Sequence, residues 1–147
     1  MKKAFFRITA MSALVFLAAT QTVRAQEPLL VNTPFAFTAG KVALPAGEYR
    51  VQKPGDDSPA ILIQRTDGSA ATFVISFAVA ANAQQTQSKL VFHRYGDRYF
   101  LSRVWRAGDS RGRELPKSAK EKEQALAARN ETSDQVTIIA RLAPPKP

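Results

Sequence analysis

Residues 89–115 read KLVFHRYGDRYFLSRVWRAGDSRGREL and hold the densest pattern in the chain. Two β-prone runs, 89–94 and 98–105, are joined by the turn Tyr95-Gly96-Asp97-Arg98. Gly at the first central position of a two-residue loop is typical of a type II′ hairpin turn. Because loop length sets the register, the expected facing pairs are Arg94 with Tyr99, His93 with Phe100, and Phe92 with Leu101. The segment therefore predicts an antiparallel hairpin.

The two faces of this predicted hairpin are both about half apolar. One face would carry Val91, His93, Tyr95, Phe100, Ser102 and Val104. The other would carry Leu90, Phe92, Arg94, Tyr99, Leu101, Arg103 and Trp105. A sheet with one solvated face alternates more cleanly between apolar and polar residues. We therefore expect that a further element covers part of the second face.

Other β-prone runs lie on both sides of the hairpin, separated by turn residues. They span residues 29–37 (interrupted by Pro34), 41–44, 48–52, 61–65, 70–79 and 135–142. Many short strands at spacings of roughly 8–12 residues are typical of an antiparallel barrel or sandwich. The sequence therefore predicts an all-β fold, a small antiparallel β-barrel or sandwich with one peripheral helix near the C-terminus.

The run 70–79 has the cleanest alternation in the chain. Its apolar face consists of Ala71, Phe73, Ile75, Phe77 and Val79. A continuous apolar face at a period of two residues is the pattern of a strand that packs on a core. We therefore expect this run to be a central core strand with these five side chains buried.

The peripheral helix is predicted from a capping box. Ser118-Ala119-Lys120-Glu121 fits the Ser-x-x-Glu pattern, in which the serine and glutamate satisfy free amides at a helix start. The helix should span about 119–129, and a last strand should span about 135–142. Its thin apolar side suits a helix that covers a sheet edge, and residues 143–147 form a Pro-rich tail.

The amino-terminal residues 1–25 have the layout of a secretory signal peptide. Lys2, Lys3 and Arg7 precede an apolar run, and small residues precede a cleavage site before Gln26. Residues 26–142 then form a single β domain, which is exported to the periplasm or secreted by a bacterium and has no transmembrane anchor after cleavage. Removing the four basic residues of this leader lowers the formal net charge from +9 to +5.

Two residues suggest catalysis, although no complete catalytic set is present. Gly108-Asp109-Ser110-Arg111-Gly112 matches the G-x-S-x-G nucleophile elbow, but the elbow needs a His later in the chain, and the only His is His93. Ser110 is therefore interpreted as a turn residue and His93 as a half-buried strand residue. A small hydrolase that uses His93 or Ser110 is the alternative functional hypothesis to a non-enzymatic protein. With one His and no Cys, we predict no metal site and no cofactor.

A basic and aromatic group of side chains is the main binding candidate. Arg side chains offer forked donors for anions and Tyr and Trp offer stacking faces, so the candidate binding residues are Arg94, Arg98, Tyr99, Arg103, Trp105, Arg106, Arg111 and Arg113. Their expected partner is an anionic envelope polymer, a glycan or a protein, whereas nucleic acid is not expected outside the cell. The alternative is that the aromatics pack the sheet and the arginines pair with acidic neighbours. The primary hypothesis is a non-enzymatic envelope protein.

The phrases LVFHRYGDRYFLSRVW, GRELPKS and VNTPFAFTAGKVALPAGEY cover much of the chain after the leader. In these phrases the chain resembles a group of exported proteins from Acidobacteria that have no established activity. The resemblance implies export and a single domain. It supplies no cofactor or catalytic residue.

Overall fold

The chain forms two β-sheets and one short helix in a computed structural model that describes residues 27–55, 57–128 and 133–144. The strands in chain order are β1 (Leu29–Thr33), β2 (Phe37–Ala39), β3 (Val42–Leu44), β4 (Gly47–Gln52), β5 (Ala60–Arg65), β6 (Ala71–Ile75), β7 (Phe77–Ala80), β8 (Lys89–Tyr95), β9 (Arg98–Trp105), β10 (Arg111–Glu114), β11 (Asp134–Ile139) and β12 (Arg141–Leu142). The helix α1 (Ala119–Ala127) lies between β10 and β11. The predicted signal peptide and residues 145–147 of the predicted tail lie outside the described residues.

The two sheets differ in strand order and size. The first sheet has five strands in the order β12-β1-β4-β5-β6. The second has seven, of which five follow the order β11-β8-β9-β10-β7, while β2 pairs with both β3 and β9. All pairings are antiparallel except the contact between β2 and β9. Within the described residues the sheets do not close into a barrel, which leaves the sandwich of the two predicted alternatives.

The core lies between the sheets. Tyr49 and Ile63 of the first sheet and Phe92 and Leu90 of the second are all fully buried, and Phe37 packs edge-on against the rings of both Tyr49 and Phe92. Side chains from two facing sheets that fill a common interior are the defining feature of a sandwich. The all-β prediction is confirmed.

Three runs that the sequence predicts as single strands are each divided between the two sheets. The runs are 29–37, 70–79 and 135–142, and the breaks fall at Pro34–Ala36, at Ser76 and at Ala140. Pro34 cannot donate to a ladder, so the first break follows from the sequence. The other two carry no comparable signal.

Backbone hydrogen bonds hold the two breaks that lack a proline. At Ser76 the amide donates to Pro59 O at 2.8 Å, and at Ala140 the amide donates to Ser88 O at 2.8 Å. Both residues are buried. Ser76 and Ala140 are the points at which the chain crosses from one sheet to the other. Because their amides are hydrogen-bonded to neighbouring loops, neither crossing leaves its buried amide unpaired.

The prediction that residues 70–79 present their apolar face to the core is wrong. Phe73 and Ile75 of β6 are 64% and 63% exposed, whereas Val74 is buried. The register explains this, because Val74 faces Ile61, which points into the core from β5. The strand is also an edge strand rather than a central one. The remaining members of the predicted face, Ala71, Phe77 and Val79, are exposed or half-buried.

The predicted hairpin forms as β8 and β9, and its three expected pairs are confirmed. Beyond them the register shifts, since Phe92 faces Leu101 whereas the preceding Val91 faces Arg103. Ser102 therefore has no residue opposite it on β8. One extra residue on one strand of a pair is a β-bulge.

The bulge inverts the expected faces of residues 103–105. Val104 joins the core, and Trp105 moves to the outer face of the second sheet, together with Arg103. The predicted faces are therefore correct up to Ser102 and wrong beyond it. An inserted residue shifts every following side chain to the opposite side of the strand.

The helix begins and ends close to the predicted bounds. The Ser118 hydroxyl accepts from the amide of Glu121 at 3.2 Å, which is the serine half of the predicted capping box. Glu121 also contacts His93 and Tyr95 on the outer face of the second sheet. The helix α1 therefore meets this face of the sheet through Glu121. Among the described residues, no helix is long and apolar enough to span a membrane.

Candidate ligand-binding cavity

The tip of the β8–β9 hairpin carries three of the predicted binding residues. Arg94 Nη2 lies 2.7 Å from Asp134 Oδ2, and hydrogen bonds to Tyr99 and Asp134 raise the pKa of Arg94 above its ordinary value. The ring of Tyr99 stacks on Phe35 with centroids 3.7 Å apart. Arg98 is exposed beside the turn. At the tip, Arg98 therefore faces solvent, and one face of the Tyr99 ring packs against Phe35.

Two further predicted residues lie in the middle of the sheet. Arg103 Nη2 lies 3.5 Å from Glu114 Oε1 on β10. Trp105 is buried and packs over Gly112 so closely that a Cβ at Gly112 would lie 2.5 Å from the indole Cε3. Trp105 therefore fills the outer face of the sheet and offers no free ring for stacking.

The last three predicted residues, Arg106, Arg111 and Arg113, line one cavity. The cavity opens between the two sheets beside β10 and has a volume of about 270 Å³. Side chains alternate along a strand, so Arg111 and Arg113 share one face of β10 while Gly112 turns toward Trp105. Arg106 comes from the loop that joins β9 to β10.

The opposite wall of this cavity is apolar. It is formed by Leu29, Val51, Ile61 and Val104, four buried side chains from both sheets. The cavity is thus an opening in the core at one end of the sandwich. Ligand pockets are mostly apolar with a few convergent polar groups, and their volumes are roughly 300–1,000 Å³. This cavity has that composition, and its volume lies just below that range.

The three arginines are held to different degrees. Arg113 donates from Nε to Ser76 Oγ at 2.9 Å and from Nη2 to Ser76 O at 2.7 Å. Arg106 donates to the backbone carbonyl of Glu27. The side chain of Arg111 is exposed and has no hydrogen bond or ion pair with any residue that the structure describes. Arg111 is therefore the side chain best able to bind a ligand.

The cavity is electropositive. Among the described residues, Lys53 and the three arginines line it, against the one carboxylate of Asp109. Burial lowers the pKa of Arg106, and the charges of Asp109 and Glu27 offset part of that effect. Arginine nevertheless stays protonated because its ordinary pKa exceeds 12. Positive charge in a cleft with low-dielectric walls raises the local concentration of anions.

The loop that carries Arg106 is hydrogen-bonded to the polar segment 81–88, which joins β7 to β8. The amides of Ala81 and Gln85 donate to Ser110 O and Asp109 O at 2.8 and 2.9 Å, and Gly108 donates to Gln85 O at 2.8 Å. The polar connector therefore positions one rim of the cavity. The G-x-S-x-G segment leads into strand β10 and not into a helix, so Ser110 does not occupy a strand-to-helix elbow.

His93 lies in a buried polar network at the other end of the second sheet. Its Nδ1 is 2.8 Å from Glu121 Oε1, and its Nε2 is 3.3 Å from Ser102 Oγ. The Tyr95 hydroxyl donates to the same carboxylate oxygen at 3.2 Å. Burial, followed by the charge and hydrogen bond of Glu121, raises the pKa of Tyr95 to about 12. Ser110, the other catalytic candidate from the sequence, makes none of these contacts.

This network has the connectivity of a Ser-His-acid triad, which sequence reasoning missed. Ser102 and Glu121 are each only 4% exposed. The crevice between Phe100, Pro116 and Glu121 has essentially no room for a water molecule. A nucleophile must reach its substrate, so this geometry favours a structural role in which Glu121 attaches α1 to the sheet. The capping box placed Glu121 at the helix start but gave no sign of His93 as its partner.

The described residues contain no group of three or more His, Cys, Asp or Glu side chains that could hold a metal ion. No protein-family model, no curated protein and no solved structure matches the chain. Functional inference therefore rests on the cavity and on the polar network.

Proposed function

We propose that the protein is an exported, non-enzymatic binding protein whose cavity takes a small anion with an apolar body. One observation carries this proposal: three arginines and four buried apolar side chains line the same opening between the sheets. The anionic head of the ligand would meet the arginines, and its apolar body would lie against the apolar wall of the cavity. Of the eight binding residues predicted from the sequence, this proposal retains the three nearest the C-terminus, Arg106, Arg111 and Arg113.

The apolar wall favours an amphipathic ligand over a simple ion. Leu29, Val51 and Ile61 reach the cavity from the first sheet, and a hydrated inorganic anion would make no favourable contact with that wall. Covering apolar surface contributes roughly 25 cal/mol per Å², so an alkyl chain adds affinity that an ion cannot. An uncharged glycan would leave the arginine charges unpaired.

The basic wall favours a carboxylate or a phosphate as the head group. Arg111 is free to rotate, and its planar guanidinium can form two parallel hydrogen bonds to either oxyanion. Arg113 is already fixed by Ser76, so it contributes mainly a fixed positive charge. A bacterial envelope contains anionic amphiphiles of this chemistry, which agrees with the export that residues 1–25 predict.

Calorimetric titration of the exported chain with octanoate tests the proposal. Acetate has the same head without the chain, and octylammonium has the same chain with the opposite charge. We expect octanoate to bind at least about tenfold more tightly than either, a difference of about 1.4 kcal/mol. Binding should weaken as salt is added, because the head-group contact is electrostatic.

Two charge reversals locate the site. Arg111→Glu should weaken octanoate binding by about tenfold or more. Arg98→Glu makes the same change of charge on an exposed residue at the hairpin tip and should leave binding unchanged. Equal affinity for octanoate and octylammonium, or equal losses in the two variants, would overturn the cavity proposal.

A small hydrolase that uses His93 stays the alternative, and the order Ser102-His93-Glu121 is the observation that favours it. Catalysis would require the surroundings of Ser102 to open, because Ser102 is only 4% exposed. A fluorophosphonate probe distinguishes the two proposals. Labelling of Ser102 in the native protein that is lost in His93→Gln would establish the hydrolase, whereas the binding proposal expects no labelling.

A further inference from the structure

The outer edge of β6 is an open strand edge with apolar side chains. The strand pairs with β5 on one side, and no other strand in the described ranges pairs with its second side. At its two ends, Arg65 N donates to Ala70 O and Ser76 N donates to Pro59 O, both at 2.8 Å. In an antiparallel ladder the bonded residues alternate.

The alternation determines which backbone groups face outward. Because residues 70 and 76 bond toward β5, the amides and carbonyls of the odd-numbered residues Ala71, Phe73 and Ile75 point to the open edge. All three side chains are exposed, Phe73 and Ile75 by 64% and 63%. Phe77, just past the crossing at Ser76, is 50% exposed and extends this apolar surface.

This edge lacks the features that normally prevent strand pairing. Edge strands of single-chain proteins are usually protected by charged side chains, a proline or a bulge. No charged residue and no proline occurs between Gly68 and Ser88, although 22% of the chain is charged. The strand β6 is therefore chemically suited to pair with another strand.

We infer that β6 pairs with β6 of a second copy of this chain and forms a closed homodimer. In an antiparallel pairing centred on Phe73, residue 73 faces itself across a two-fold axis, and Ala71 faces Ile75. The residues that face each other are then the ones whose backbone groups point outward, so each outward amide meets an outward carbonyl. The first sheet would continue across both copies.

The distribution of charge makes the β6 edge the place where two copies of this chain can meet with least repulsion. The chain without its leader has a net charge of +5, so two copies repel each other through most of their surface. The β6 edge is uncharged, and a two-fold pairing there brings apolar side chains together without placing like charges opposite each other. An anionic partner would instead find its complement at the arginines of the cavity.

The other edge of the same sheet explains why the assembly would stop at two. That edge is β12, which has only two residues and carries Arg141, whose Nη2 lies 3.5 Å from Glu48 Oε2. A short charged edge does not accept a long apolar strand. Pairing of β6 with itself uses the same surface on both copies, which gives a closed two-fold dimer and no filament.

Sedimentation of the exported chain across a concentration series tests the inference. We expect the mass of a dimer, and Phe73→Lys should give the mass of a monomer because it places like charges across the two-fold axis. Leu126→Lys makes the same apolar-to-charged change at a residue of α1 that is 60% exposed, and it should stay dimeric. Circular dichroism would show that both variants keep their β structure.

A single cysteine tests the register. The chain has no Cys, so Phe73→Cys introduces one thiol, which would face itself across the axis at a Cα separation of about 5.5 Å, within the range of a disulfide. We expect oxidation to give a covalent dimer of Phe73→Cys but not of Leu126→Cys. A monomer at all concentrations, or a dimer that Phe73→Lys leaves intact and Phe73→Cys does not crosslink, would overturn the inference.

Discussion

The tip and the base of the basic segment have similar residues and different environments. At the tip, Arg94 pairs with the exposed Asp134, and Tyr99 packs on Phe35. At the base, Arg106 and Arg111 line an opening in the apolar core. Exposed charges are screened by water, whereas a charge beside low-dielectric walls is screened less. If the proposed binding site is correct, an arginine gains binding capacity from the apolar surface beside it.

The largest expected loss of stability comes from a substitution at Gly112, which disrupts the packing at the base. Gly112→Val places a side chain where the Trp105 ring lies, since even a Cβ would come within 2.5 Å of it. Overpacking of this kind costs about 3 kcal/mol, and β10 should shift together with Arg111 and Arg113. Urea denaturation should show the loss of stability, and octanoate binding should fall with it.

The matched control for that variant is at the tip. Gly96 has a φ of +64° and no heavy atom near its missing Cβ, so Gly96→Ala costs only backbone strain of about 1–2 kcal/mol. Octanoate binding by Gly96→Ala should be unchanged. A larger loss of stability in Gly96→Ala than in Gly112→Val would contradict the packing argument.

An intermediate effect is expected at alkaline pH from Tyr95, which lies at the hairpin turn with its side chain directed to Glu121. Its pKa of about 12 exceeds the ordinary value of 10.0, because tyrosinate would be buried beside Glu121. The folded state therefore disfavours ionisation, so this contribution is complete below pH 10 and is lost as pH rises toward 12. The free energy of unfolding should fall by about 1 kcal/mol between pH 10 and 11.

Tyr95→Phe isolates that contribution. The variant loses the hydrogen bond to Glu121 and should be less stable at neutral pH, but it should lack this part of the alkaline decline. Guanidinium unfolding of both proteins at several pH values gives the comparison. Equal alkaline slopes for the two proteins would show that Tyr95 does not titrate with the raised pKa.

The smallest effect is expected at the tip. The side chains of Arg94 and Asp134 are 42% and 55% exposed, and solvent-exposed ion pairs contribute little to stability because water and salt screen them. Arg94→Ala should therefore change stability little and leave octanoate binding intact. Loss of octanoate binding in Arg94→Ala would contradict this expectation and would indicate that the ligand binds at the hairpin tip.

Local patterns predicted the elements that depend on neighbours in sequence. Gly96-Asp97 predicted the hairpin and its first three pairs, and Ser118 with Glu121 predicted the start of α1, because turns and caps involve residues only a few positions apart. Pro34 predicted a break for a similar reason. The bulge at Ser102 has no such signal, so the faces of Arg103, Val104 and Trp105 were predicted wrongly.

The apolar face of residues 70–79 shows the limit of periodicity. Alternation separates two faces but does not say which one meets the core, and here Ile61 and Ile63 of β5 decide that Val74 is buried and Phe73 is exposed. The binding candidates show the same limit. Arg94 and Arg111 read alike in sequence, and only their surroundings distinguish them.

By itself, the amino-acid sequence determined the all-β class, the central hairpin, the capped helix and the excess of arginine near the carboxyl end, since these follow from propensity, turn chemistry and charge. Tertiary structure alone decided that three predicted strands divide between two sheets, that His93 meets Glu121 across 28 positions, and that Arg106, Arg111 and Arg113 share one cavity. Contacts between distant residues depend on register and packing, which local sequence patterns do not encode.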